Sequence, residues 1–298
     1  MLLIRKLWVI QKTLKTMLDL NQFSHSHDSL EIIHRGHLSC VRKTFHSDLE
    51  RAQRNVAKQR QFRPIYTGTA KVAAAEVIEF HMRSDSAELL MPYIEGITGH
   101  MFPVHATRNV AHTLSASLST LLYAELTESR EALVETSLFR DKLSSVSEAT
   151  QDLALKQLVD NCTAVVDRFP AELLMPIGPC HGDLTLSNLI LDPASGITLI
   201  DFLETFLETP LQDVAKLKQD FVYGWSFRKD PPALVIKAEI LCHHHLPQAI
   251  VQIERMYPDQ VRLLTMMTLA RIAPYVTDSV TQRWLVRSLT DCLGATPQ

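Results

Sequence analysis

Apolar positions recur every second residue in parts of the first third of the chain, and every third or fourth residue over most of the rest. At the start, Leu3, Leu7, Ile10, Leu14 and Leu18 share one face of a helix predicted over residues 1–20. A polar stretch, Asn21 to His27, separates it from two predicted strands, 29–34 and 38–45, joined around Arg35-Gly36. Residues 47–62 read as a charged helix capped by Ser47 or Asp48. Two more strand-like runs follow, 73–81 and 88–94. Beyond Ala106 the helical period dominates, over roughly 106–125, 130–143 and 148–168 and again in several segments from 210 to the end. One stretch interrupts it. Residues 188–191 and 197–200 are short apolar runs around Asp192-Pro193-Ala194-Ser195-Gly196, a β-hairpin signal inside a helical region. The expected architecture is α+β and two-lobed. A small β-rich N-terminal lobe, 1–95, gives way at Gly96-Ile97-Thr98-Gly99 to a larger helical lobe, 96–298, in which the hairpin is inserted. A cleft between two such lobes is a common place for a small-molecule site.

Composition narrows the function classes. With 46% hydrophobic and 21% charged residues among 298, the chain is neither disordered nor fibrous. A formal charge of −3 leaves no global basic field, so no nucleic-acid partner is expected. Only nine glycines leave few places where backbone can wrap closely around phosphates. The five cysteines are widely spaced without a CxxC pair, which argues against a zinc ribbon or a disulfide framework and fits a reducing compartment. The apolar N-terminus is interrupted by Arg5, Lys6, Lys12, Lys15 and Asp19, unlike a secretory signal. No run reaches the ~20 apolar residues of a membrane span. A soluble cytoplasmic protein with no membrane partner is expected.

The chemistry concentrates in the hairpin region. It reads Pro179-Cys180-His181-Gly182-Asp183-Leu184-Thr185-Leu186-Ser187-Asn188, then Ile200-Asp201-Phe202. Aspartate, five residues on to asparagine, thirteen on to aspartate, are the types that phosphoryl transfer from a nucleotide requires. One carboxylate orients the attacking hydroxyl and accepts its proton, while an amide and a second carboxylate hold Mg²⁺ against the phosphates. The interval from Asp183 to Asn188 matches the H-R-D-x-x-x-x-N pattern of kinase catalytic loops, with Gly182 in the arginine position. Singly, each of these residues reads as a buried turn or a helix cap. His181, directly before the loop, reads as a buried, hydrogen-bonded scaffold.

His-Gly-Asp-x-x-x-x-Asn followed by Ile-Asp-Phe resembles the aminoglycoside phosphotransferase and choline kinase superfamily, small-molecule kinases with a protein-kinase-like fold. The resemblance directly covers residues 179–216. It implies ATP as donor, Mg²⁺ as cofactor and a hydroxyl of a small molecule as acceptor. Asp183 would be the catalytic base, and Asn188 and Asp201 the metal ligands. Pro210-Leu211-Gln212-Asp213-Val214-Ala215-Lys216 is similar to the family's helix start, where an aspartate braces the catalytic loop, which makes Asp213 the bracing candidate.

The resemblance also assigns parts to the N-terminal lobe. Lys43, on the second strand, would hold the donor phosphates, with Arg42 as the rival if the register slips by one. Its helix partner would be Glu50, or an amide contact in place of the ion pair. The connector Leu89-Leu90-Met91-Pro92-Tyr93-Ile94 resembles the family's hinge. There Pro92 would offer its carbonyl to adenine, Ile94 its amide, and Met91 the back of the pocket. The chain departs from the family in two ways: Glu50 lies about a turn before the family's glutamate, which is expected near Asn55, and the turn expected to cover the nucleotide, Asn21 to His27, contains no glycine.

Glu204 and Glu208, after the metal aspartate, would contact a cationic acceptor or sugar hydroxyls, or else face solvent. Tyr223 and Trp225 would line the acceptor pocket or belong to the core. His243-His244-His245 fan around a helix and do not form a metal site. The chain end lacks the acids of an aminoglycoside site, so a sugar or sugar derivative is the expected acceptor. The alternative is a catalytically weak or inactive kinase-like protein that binds nucleotide or a partner.

Overall fold

In a computed structural model of the chain, the structure describes residues 28–68 and 70–294. The helix predicted over 1–20 and the glycine-free turn lie outside the described residues. The elements in chain order are β1 (Ser29–Arg35), β2 (Leu38–Phe45), α1 (Leu49–Gln61), β3 (Ile65–Thr67), β4 (Ala70–Ala74), β5 (Glu79–Met82), β6 (Ala87–Pro92) and β7 (Ile97–Thr98). After a single helical turn, Phe102–His105, come α2 (Arg108–Glu128), β8 (Arg130–Glu135), α3 (Ser137–Ala149), α4 (Leu153–Val166), β9 (Glu172–Ile177), β10 (Leu189–Asp192) and β11 (Gly196–Leu199). The chain continues as α5 (Pro210–Phe221), α6 (Pro232–His244), α7 (Gln248–Met256), α8 (Pro258–Ala270) and α9 (Ser279–Gly294).

The described residues divide into two compact units, one of residues 28–56 and 76–93, the other of 57–75 and 94–294. The smaller unit is a four-stranded antiparallel sheet in the order β1-β2-β6-β5, with the first part of α1. The β1–β2 hairpin turns at Gly36, whose φ of +62° suits a residue without Cβ. Alternation in β6 buries Ala87, Leu89 and Met91 on one face, where Phe45 of β2 lies opposite Ala87, while Cys40 is buried on the other face.

The larger unit is mainly helical. Its core runs through α2, α5 and α8, with Leu114, Leu118, Leu121, Val214, Leu217, Leu263 and Leu264 all buried. The predicted hairpin forms as β10 and β11, pairing Leu189 with Leu199 and Asp192 with Gly196. It is not isolated among helices. β11 runs parallel to β4 and β10 pairs with β7, so the hairpin is the centre of a five-stranded sheet, β3-β4-β11-β10-β7.

Two segments differ from the sequence expectation. The single strand predicted over 73–81 is two strands in two different sheets. The chain leaves β4 at Ala75, whose N–H donates to Leu199 O (2.8 Å) and whose carbonyl accepts from Gln59 Nε2 (2.8 Å). The helix predicted over 130–143 begins instead as β8, paired antiparallel with β9. Arg-Glu-Ala-Leu-Val-Glu holds good helix formers, and pairing with a partner about 40 residues away overrides that local preference.

Candidate active site

The loop from His181 to Asn188 is held by two aspartates two turns apart on α5. Thr209 caps this helix, accepting from Leu211 N–H at 3.3 Å, and Pro210 occupies its first turn. Asp213 Oδ1 accepts the Gly182 N–H at 2.8 Å, and Oδ2 accepts the His181 N–H. Asp220 Oδ2 accepts the Leu186 N–H at 2.6 Å, and Oδ1 the Ser226 N–H at 2.9 Å. Both carboxyls are fully buried. Burial pushes their pKa values up, and the N–H groups they accept only partly reverse it. Burial, with the Asp213 charge beside it, drives the carboxyl of buried Glu125 well above the usual range.

Gly182 is required twice over. Its φ is +89°, and a Cβ would lie 2.0 Å from Leu203 O. The close approach lets Leu203 N–H donate to His181 O at 3.0 Å, tying the loop to the segment that follows Asp201. The His181 ring is fully buried and stacks 4.3 Å from the Phe202 ring. Its Nε2–H donates to Ile200 O at 2.8 Å, and Nδ1 accepts the Asp183 N–H at 3.2 Å. Burial pushes its pKa down, so it stays neutral in the tautomer these bonds select.

Asp183 keeps about a third of its side chain exposed. Asn188 Nδ2 donates to Asp183 Oδ2 and to its backbone carbonyl, each at 2.8 Å. Lys216 Nζ lies 2.8 Å from Oδ1. Burial raises the carboxyl's pKa, and the Lys216 ammonium above all, with the Asn188 hydrogen bond, brings it below the usual range, so Asp183 is ionised near neutrality. Asn188 also accepts the Ile200 N–H through its backbone carbonyl at 3.0 Å, which sets Asp201 on the adjoining strand end. Asp201 has φ +59°, a left-handed conformation that costs a non-glycine residue about 1 kcal/mol or more and recurs at functional sites.

The segment after Phe202 is anchored by Glu208. Its carboxylate meets Lys58 Nζ at 2.5 Å and accepts the Thr205 N–H at 2.8 Å, while Lys58 also donates to Leu203 O at 2.9 Å. Glu208 is thus a strut within the protein. Glu204 is half-buried. Trp225 lies beside the loop, since Ser226 Oγ is 3.3 Å from Ser187 Oγ. Its ring is covered by the Arg228 guanidinium at 3.4 Å and packs on Trp284 at 5.0 Å. The Tyr223 carbonyl accepts the Trp284 indole N–H at 2.5 Å, and burial pushes the Tyr223 phenol up.

In the smaller unit, Lys43 is largely shielded, 3.8 Å from Asp28 Oδ2, with its ammonium 5.1 Å from the Phe45 ring centroid. Arg42 points to the other face and pairs with Glu31 at 2.9 Å. Glu50 is 89% exposed, and its ion pair is with Arg54, one helical turn on, rather than with Lys43. Its place in the first turn of α1 turns the carboxylate toward solvent. Met91 is buried opposite Val41, and Pro92 pairs with Cys40 at the end of β6. Ile94, half-buried, begins the following segment.

The sequence matches the phosphotransferase enzyme family over residues 33–243. That span is more than two thirds of the chain and includes the whole loop. The chain belongs to the phosphotransferase enzyme family. It is a phosphotransferase acting on a hydroxyl of a small molecule. No curated protein sequence matches it. Its fold is shared with solved structures of low identity. Aminoglycoside phosphotransferase APH(4)-Ia superposes with a TM-score of 0.54 at 13% identity, covering 96% of this chain and 100% of that one. A thermostable mutant of the same enzyme, in a ternary complex with AMP-PNP and hygromycin B, gives 0.52 at 13% identity, covering 93% and 98%. The GDP and kanamycin complex of APH(2")-IIia gives 0.50 at 15% identity, covering 93% and 96%. The kinase-like, two-lobed α+β expectation agrees with these matches.

In this phosphotransferase the larger unit brings Asp183, Asn188, His181 and Asp213 into one hydrogen-bonded assembly, with Asp201 on the adjoining strand end. Sequence reading passed over Lys216, Asp220, Glu125 and the Lys58–Glu208 pair. A signal for two of them was present: Asp213, Lys216 and Asp220 recur at three and four residues, the spacing of one helix face. The donor set suits magnesium. Asn188 spends its amide N–H groups on Asp183, which turns its side-chain oxygen to other uses, and Asp201 supplies a carboxylate. Among the described residues no cluster of three or more His, Cys, Asp or Glu could hold a metal by itself. One carboxylate and one amide oxygen, completed by phosphate and water, are what Mg²⁺ accepts.

Proposed function

We propose that this phosphotransferase transfers the γ-phosphoryl group of ATP, with Mg²⁺, to a hydroxyl of a sugar or sugar derivative. Asp183 orients the acceptor hydroxyl and takes its proton. Asn188 and Asp201 hold the metal, which, when bound, supplies positive charge against the donor's phosphate oxygens. Asp213 and His181 hold the loop in shape, Asp213 through two backbone N–H groups and His181 through Ile200 O. Lys43 binds the donor phosphates, and Met91, Pro92 and Ile94 take the base. Residues 1–95 serve as the nucleotide-binding lobe and 96–298 as the catalytic and acceptor-binding lobe. Glu204, Tyr223 and Trp225 belong to the acceptor side.

What carries this reading is the treatment of Asp183. An ionised, partly exposed carboxylate is held at both oxygens, with an amide on Oδ2 and an ammonium on Oδ1. Its loop is braced from beneath by two buried aspartates. A turn that merely connected two strands would need none of this. The solved relatives of the same fold were captured with AMP-PNP, ADP or GDP, and with aminoglycosides, which are aminosugars. That supports a nucleotide donor and an acceptor rich in hydroxyls.

The test is a thermal-shift titration with MgATP and MgGTP, followed by an ATP-consumption screen over sugars, aminosugars and other hydroxylated metabolites. The expected result is stabilisation by MgATP and turnover with at least one sugar-like acceptor. Stabilisation without turnover on any acceptor would favour a nucleotide-binding relative without activity. No stabilisation by either nucleotide would remove the proposal.

A further inference from the structure

Lys216 sits on the loop-facing side of α5, three residues after Asp213 and four before Asp220, and the resemblance assigns it no role. Its ammonium is 2.8 Å from Asp183 Oδ1, and its side chain is only 17% exposed. Asn188 already orients the other oxygen of that carboxylate, so orientation alone does not call for a cation. An ammonium has three donors. Among the described residues Lys216 has a single ion-pair partner, Asp183. In phosphoryl transfer two negative groups, the carboxylate and the phosphoryl in transit, must share one acceptor hydroxyl between them. A cation fixed on the carboxylate removes the repulsion that would otherwise oppose this.

We propose that Lys216 is a catalytic residue: its ammonium remains on Asp183 Oδ1 and gives a second hydrogen bond to an oxygen of the phosphoryl group as it moves to the acceptor. This rests on the reading that Asp183 receives the acceptor hydroxyl. In the step, the acceptor oxygen forms the new bond to the γ-phosphorus. The bond to the oxygen shared with the β-phosphate breaks, and its electron pair leaves with ADP. The hydroxyl proton passes to the Asp183 carboxylate. Lys216 stays protonated throughout.

The test compares full-length wild type, Lys216→Met and Lys216→Arg by calorimetry with MgADP, alone and with aluminium fluoride as a mimic of the phosphoryl in transit. Melting temperatures are recorded for all three. Wild type is expected to bind MgADP more tightly with the fluoride. The Met variant should keep its MgADP affinity within about 3-fold but lose about 10²-fold of the fluoride-dependent gain, the scale of one electrostatic donor. The Arg variant should keep part of it. With any accepted substrate, Lys216→Met should lower kcat and leave KM for nucleotide nearly unchanged. A Met variant with the full gain, a wild type with no gain, or a Met variant that loses MgADP affinity and melting temperature together would each overturn the proposal. A wild type that binds no nucleotide would remove the proposed function itself, a result distinct from all three.

Discussion

The two units hold their chemistry in different ways. In the larger one, Asp183 is reached by Asn188 and Lys216, its loop by Asp213 and Asp220, and the following strand end by His181. In the smaller one, Lys43 faces Asp28 at 3.8 Å and the Phe45 ring at 5.1 Å, both looser than a hydrogen bond. A network with every member satisfied specifies one arrangement before any ligand arrives. A lysine's four-carbon stem leaves it several rotamers, and a charged ligand can decide among them. Geometry that must be accurate is fixed by the fold, while charge that must only be near is left adaptable.

The sharpest way to break this comparison is at the base. Asp183→Asn keeps the size of the side chain and is expected to lower turnover about 10²–10⁴-fold. MgATP affinity and melting temperature should change little. Steady-state kinetics beside a thermal melt checks it, and a variant with undiminished turnover removes Asp183 from its role. Next comes the brace. Asp213→Asn leaves one of the His181 and Gly182 N–H groups facing an amide NH₂ inside the protein. An unmet buried donor and a lost charge-assisted bond together cost about 2–4 kcal/mol. Denaturant unfolding should show that loss, and turnover should fall with it. If turnover falls while stability holds, the brace acts on chemistry rather than on structure.

How far these parts were legible in the sequence follows from how local they are. Asp183, Asn188 and Asp201 lie within nineteen residues, and their types and spacing carry the chemistry on one stretch of chain. Gly182 is legible once the loop is recognised, because no other residue meets Leu203 O so closely at φ +89°. Lys216 was not. In Asp213-Val-Ala-Lys216-Leu-Lys218 the two lysines look alike, yet Lys218 pairs with Glu254 on another helix while Lys216 meets Asp183. Only the helix phase separates them. The same limit hid β8, whose composition favours helix and whose strand partner lies beyond α4. It also hid the break after Ala74, where small side chains give no alternation to read. Glu50 is ambiguous for the opposite reason. It is the acid nearest the expected position, and its place in the first turn of α1 equally suits a charge at the helix start, where it pairs with Arg54.

The smaller unit supplies the milder effects. Lys43→Met is expected to weaken nucleotide binding about 10–100-fold, the worth of one charge-assisted contact, with kcat less affected than KM. Stability should move little, because the Asp28 pair is long. This contrasts with Asp213, where binding and stability move together, and calorimetry beside a melt distinguishes the two patterns. A Lys43 variant that binds MgATP normally would move the phosphate contact elsewhere in the unit.

The smallest effects test the register. Arg42→Ala removes an exposed pair with Glu31, and exposed pairs contribute about 0–1 kcal/mol. Glu50→Ala removes a helix-surface pair with Arg54 at 3.8 Å, worth about 0.3–0.5 kcal/mol, together with a favourable charge at the start of α1. Neither variant should change nucleotide affinity beyond about 2-fold. The two substitutions therefore form a control pair for Lys43→Met. If Arg42→Ala weakens MgATP binding as much as Lys43→Met does, the facing of β2 would have to be reversed in the working enzyme. If Glu50→Ala does so, the solvent-facing carboxylate on α1 must turn inward when nucleotide binds, and adaptability would extend from Lys43 to the helix beside it.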